Sequence, residues 1–102
     1  MIRNFQAYDL AVQLMKQVKG IEAPGYSKDQ LLRAAQSIVL NLAEGSGKPS
    51  TKEKKRFYSI AFGSTREVQG LFDILEVQDK KMIDLVDHVA ACIYKLVYCQ
   101  KR

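Results

Sequence analysis

The chain has no tryptophan, one histidine, two cysteines and two prolines in 102 residues, and each shortage closes off a class of chemistry. With His88 the lone histidine and no CxxC pair, a zinc site built from this chain has too few donors. Cys92 and Cys99 stand seven apart, about 10 Å along a continuous helix, which is too far for an intrachain disulfide. Both are expected to be reduced. Nucleophilic triads need a base held beside a serine or cysteine, and His88 lies among acidic and aliphatic residues with no partner at a useful spacing. No run approaches the roughly 20 apolar residues of a membrane span, and Asp9 and Gln13 interrupt the apolar positions near the N-terminus. The expectation is a cytoplasmic protein with no membrane association, no metal and no cofactor.

Acidic residues are also in deficit, 11 against 16 lysines and arginines, for a net charge of +5. The distribution says more than the sum. Between Gly45 and Arg66 stand Lys48, Lys52, Lys54, Lys55, Arg56 and Arg66, opposed by Glu53 alone. Folded and exposed, that stretch is a positive patch that attracts polyanions, nucleic acid above all, by counterion release.

Hydrophobic residues make up 47% and charged residues 26%, a globular balance. The length suits one domain, residues 1–102, with a single core and little surplus burial, so self-association would help it. Four amphipathic patterns follow one another. Phe5, Tyr8, Ala11, Val12, Met15 and Val18 trace a first helical stripe. Gly20 ends it, and Glu22-Ala23-Pro24-Gly25 forms a loop. Ser27-Lys28-Asp29-Gln30 fits a capping box opening a second helix. That helix carries Leu31, Leu32, Ala35, Ile38, Val39, Leu42 and Ala43, with Gly45 as a left-handed cap.

Ser50-Thr51-Lys52-Glu53 opens a third helix, whose expected core face is Phe57, Ile60, Ala61, Ser64, Val68, Leu71, Phe72 and Leu75. Gly63 and Gly70 interrupt it at a cost of up to about 1 kcal/mol each relative to alanine, which close approach of another backbone would justify. After the break at Val77–Lys80, Asp79 caps a fourth helix through Met82, Val86, Val89, Ile93, Leu96 and Val97. The economical solution is an all-α, antiparallel up-down-up-down four-helix bundle.

Polar residues within this frame admit two readings. Arg33, Ser37, Asn41 and Glu44 recur along one edge of the second helix and either face water or meet the third helix. In the second case Arg33 comes level with Gly63, Ser64 and Glu67, Glu44 comes within reach of Arg56, and Ser37 and Asn41 fix register at the seam. Tyr58 and Phe62 serve either a wide core contact or a subunit interface. Tyr94 and Tyr98, with Lys95, Lys101 and Arg102 nearby, either pack at helix contacts, within or between subunits, or stack on unpaired bases. Gly45-Ser46-Gly47-Lys48 is not a phosphate loop: the leading glycine and the Ser or Thr after the lysine are missing, and a helix precedes it. The carboxylates Glu44 and Glu67 have neighbouring arginines, which suits structure better than acid–base catalysis. No enzyme is expected.

The run Leu31-Leu32-Arg33-Ala34-Ala35-Gln36-Ser37-Ile38, then Asn41-Leu42-Ala43-Glu44-Gly45-Ser46-Gly47-Lys48, then Arg56 to Ser64 with Glu67, resembles the four-helix-bundle family of 23S rRNA intervening-sequence proteins. Accessory variability proteins of diversity-generating retroelements share its architecture. The likeness is specific over residues 31–67 and general elsewhere. It implies a bacterial, non-enzymatic homopentamer around a central channel; members of the retroelement branch bind a reverse transcriptase and its template RNA, and for the intervening-sequence branch RNA binding is inferred from genetic location. It also implies that Arg33, Ser37, Asn41, Glu44, Arg56, Ser64 and Glu67 have structural roles. The turn Gln78-Asp79-Lys80-Lys81 departs from relatives that carry a glycine there. Two functions stand: an RNA-binding scaffold, or a protein-interaction hub that does not bind nucleic acid itself.

Overall fold

The computed structural model describes residues 2–99. Its helices are α1 (Gln6–Lys19), α2 (Gly25–Ser46), α3 (Thr51–Ile74) and α4 (Lys80–Tyr98), and no strand occurs among the described residues. Backbone packing joins α1 to α2, α2 to α3, α3 to α4 and α4 back to α1, while the diagonal pairs stay apart. Partner residues run in opposite directions along α2 and α3 and along α3 and α4. Ser37 meets Ser64 and Gly45 meets Tyr58 between α2 and α3; Gln69 meets Asp87 and Phe62 meets Tyr94 between α3 and α4. The result is an antiparallel four-helix bundle about 42 × 21 × 20 Å.

One or two buried residues per turn from each helix make the core. Leu14 and Val18 come from α1, Leu31, Ile38 and Leu42 from α2, Val68, Leu71 and Phe72 from α3, and Val86, Val89, Ile93 and Val97 from α4. Small residues, Ala7, Ala11, Ala34, Ala35 and Ala61, let the helices approach. The hydroxyl of buried Thr65 donates to the Ala61 carbonyl, 2.8 Å away, and among the described residues no buried side-chain polar atom lacks a partner.

Several local expectations need correction. Helix α2 begins at Gly25 after Pro24, with no side-chain cap, so Ser27 lies inside its first turn and the expected capping box does not form. The helix runs through Gly45 to Ser46, and its C-cap is Gly47 at φ −91°. No described glycine has positive φ. Gly45 is needed for a different reason: a Cβ there would lie 2.6 Å from Tyr58 Cε1 and 3.1 Å from Phe57 Cβ. By contrast, a Cβ at Gly63 or Gly70 would meet nothing within 4 Å, so no other backbone of the chain's described residues approaches those glycines closely. On α3, Ile60 is exposed rather than part of the core face, and Tyr58 is buried, the first of its two readings.

The other caps agree with the sequence. Ser50 Oγ accepts from the Glu53 N–H at 3.2 Å, and Asp79 Oδ1 accepts from the Met82 N–H at 3.2 Å. Helix α3 closes with the Val77 N–H donating to the Phe72 carbonyl and the Glu76 N–H to that of Asp73. This pattern requires a left-handed residue, and Glu76 supplies it at φ 55°. The one position near this turn that favours glycine is thus Glu76, two residues before the Gln78–Lys81 segment.

These contacts predict opposite signs for chemically identical substitutions. Gly45→Ala gains up to about 1 kcal/mol of helix propensity but overpacks the seam by about 1–3 kcal/mol, so its thermal midpoint falls by several degrees. Gly63→Ala and Gly70→Ala in the monomeric bundle each raise it. Equal stability of Gly45→Ala and the native chain in a calorimetric scan would contradict the packing described.

Candidate nucleic-acid interface

The turn between α2 and α3 places the cations. Lys48 Nζ pairs with Glu44 Oε2 at 3.1 Å, one turn back in sequence, and also lies 5.0 Å from the Phe57 ring centroid. Lys54 Nζ donates to the Ser46 carbonyl at 3.1 Å, satisfying an end group of α2 and opposing the negative pole of that helix. Two of the six cations are thus engaged by the protein at the turn itself.

The remaining four point outward. At 3.6 residues per turn, Lys52, Lys55, Arg56 and Arg66 fall within an arc of about 100° on α3, and Lys54 falls opposite. All four are exposed. The Arg56 guanidinium lies 4.8 Å from the Phe57 centroid, a cation–π contact worth about 0.5–1 kcal/mol at an exposed site. Arg66 Nη1 donates to Gln69 Oε1 at 2.8 Å, and Gln69 Nε2 donates to Asp87 Oδ1 at 2.9 Å. None of the four forms an ion pair among the described residues. Their charge is left for solvent or for a polyanion.

The polar edge of α2 divides in two. Ser37 Oγ and Ser64 Oγ are 2.8 Å apart across the α2–α3 seam. Asn41 Nδ2 donates to the Ser37 carbonyl at 2.9 Å and to Ser37 Oγ at 3.1 Å. These three residues are half-buried and mutually satisfied. Arg33, Glu44 and Glu67 are exposed, and the ion pairs expected for them across the seam do not form. The Ser37–Ser64 register sets Arg33 level with Val68, while Glu67 projects from the solvent side of α3. Glu44 takes Lys48 of its own segment, and Arg56 rests on Phe57 instead.

The aromatic candidates also divide. Tyr58 is only 6% exposed, packed on Gly45 and 5.9 Å from the Phe5 ring, so it serves as a core contact of its own chain. Burial raises its phenol pKa above the usual value. Phe62, Tyr94 and Tyr98 form a separate cluster on the α3–α4 seam, with centroid distances of 4.8–6.1 Å. Lys101 and Arg102, expected near it, lie outside the described residues. No group of three described His, Cys, Asp or Glu residues is placed to hold a metal ion, and no described helix is long and apolar enough to cross a membrane.

The family model of the 23S rRNA-intervening sequence protein matches residues 3–97. The chain belongs to that family. The match extends well beyond residues 31–67 and takes in all four helices almost entirely. No curated protein and no solved structure matches the chain. Within this family member, Lys54 as a helix cap and Gln69 as a bridge to α4 had no sequence signal. The plugging of Gly45 by Tyr58 was legible only once α2 and α3 were set in register.

The Ser37–Ser64 contact is testable by a double-mutant cycle. Serine-to-alanine changes at the two positions, singly and together, should give a coupling energy of about 0.5–1.5 kcal/mol in denaturant unfolding. Strict additivity would show that the seam bond contributes nothing.

Proposed function

We propose that this family member is a non-catalytic, self-associating scaffold that holds structured RNA through the outward face of α3. The observation that carries this reading is the set of four exposed cations, Lys52, Lys55, Arg56 and Arg66, with no carboxylate partner. Phosphate contacts from such a face hold the backbone without reading sequence. Cytoplasmic location fits an RNA ligand of this kind.

Self-association is supported by the same helix. Its solvent face bears Ile60, Gly63, Glu67, Gly70 and Ile74 at four- and three-residue spacing, with Ile74 74% exposed and the two glycines flat and open. Leu40 of α2 is exposed too. A second copy, five in all as the family resemblance implies, covers this smooth strip and leaves the basic first turns of α3 as a repeated rim. The strip equally favours a second reading, a hub that docks a protein such as a reverse transcriptase. Recovery of a protein partner after nuclease treatment, with no RNA binding by the pure protein, would support the hub alone.

The scaffold reading predicts anisotropy titrations of a structured RNA with steep salt dependence. Four phosphate contacts per subunit give a log–log slope of about −3 to −4, an affinity loss of roughly a hundredfold between 50 and 200 mM salt. Replacing Lys52, Lys55 and Arg56 with glutamate abolishes binding without lowering the unfolding midpoint. Binding that ignores salt, or none at low salt, overturns the RNA reading. A monomer by light scattering at micromolar concentration overturns the assembly.

A further inference from the structure

Resting on the proposed RNA-binding role, we infer that the Phe62–Tyr94–Tyr98 cluster is a stacking platform for unpaired bases of a single-stranded segment. Tyr94 and Tyr98 are 48% and 59% exposed although they lie one helical turn apart in a well-packed α4. Phe62 holds both from behind: its ring meets Tyr94 at 5.9 Å and Tyr98 at 6.1 Å, edge-on in each case. The two tyrosine rings are 4.8 Å apart and tilted by 42°. Mutual contact fixes the rings before any ligand arrives, so little side-chain freedom is lost on binding.

The charge around the cluster identifies the occupant. Lys55, Phe62, Arg66 and Gln69 share an arc of about 60° on α3, with Lys55 about 10 Å and Arg66 about 6 Å along the axis from Phe62. The aromatic surface therefore lies between two exposed cations. The nearest acidic group on the seam, Asp87, is already bonded to Gln69. An apolar protein helix docking here would desolvate these cations without neutralising them, at a penalty. A single strand satisfies both features: phosphates reach the cations, and bases, each with a π-face, cover the tyrosines. Double-stranded RNA, its bases stacked internally, reaches the cations only.

Three probes of equal length separate the contributions: a single-stranded RNA, the same backbone without bases, and a duplex. The single strand is expected to bind about tenfold more tightly than the abasic strand for each stacked base, with a ratio that persists as salt rises. Because the chain has no tryptophan, its emission is tyrosine emission, and it should be quenched by the single strand and not by the abasic one. Tyr94→Ala/Tyr98→Ala removes both the preference and most of the quenching while leaving duplex affinity unchanged; the Tyr94→Phe/Tyr98→Phe pair keeps the preference. Equal binding of all three probes, with normal salt dependence, overturns the platform and leaves the basic scaffold standing. Failure of every probe at low salt removes both. Dissociation of the oligomer by the alanine pair, with RNA affinity intact, overturns the platform by making the cluster a subunit contact.

Discussion

The contact between Gly45 of α2 and the ring of Tyr58 on α3 sets the geometry on which the rest of the bundle depends. A tyrosine is buried against bare backbone at the closed end of the hairpin, so the two helices can pass only at one depth and in one register. The Ser37–Ser64 bond, just over two helical turns back along α2, then holds the same register with a directional interaction. Apolar packing alone tolerates sliding by a turn. A polar pair together with a steric stop does not.

Register in turn decides which cations are free. With α2 and α3 locked, the turn between them consumes Lys48 and Lys54, one on Glu44 and one on the terminal carbonyl of Ser46. The basic residues that follow emerge on the opposite side of α3, where none forms an ion pair among the described residues and the α4 carboxylate Asp87 is bonded to Gln69. A net charge of +5 thus becomes a directed field, and the smooth strip from Ile60 to Ile74 continues the same face toward the other end of the helix. Exposed cations and exposed apolar side chains thus give a single helix two kinds of surface, of the sorts that suit a polyanion and another folded surface respectively.

The helices were legible because their apolar periodicity is strong: Leu31, Ile38 and Leu42, or Val86, Val89 and Ile93, repeat at spacings that only a helix turns into a face. Caps built on one local hydrogen bond, at Ser50 and Asp79, were legible for the same reason. Features that depend on two elements were not. Gly45 carried the local signature of a helix stop, yet it is a groove for a residue 13 positions on. Tyr58 and Ile60 are two apart on a helix, and only the α1 and α2 neighbours determine which one turns inward. Arg33 and Glu67 looked complementary at the level of axial position, and they fail to pair because rotation about each helix sends both to solvent. Ion pairs between exposed side chains contribute little, so nothing in the packing compels them.

The claim that an α2–α3 hairpin aims an unpaired set of cations at RNA phosphates is tested most directly by mapping where a polyanion lands. Side-chain and amide resonances followed by NMR during titration with structured RNA should shift first and most at Lys52, Lys55, Arg56 and Arg66, with Lys48 and Lys54 little changed. Shifts centred on Lys16, Lys19 and Lys28 at the α1–α2 end, or spread evenly over every lysine in the bundle, would contradict it.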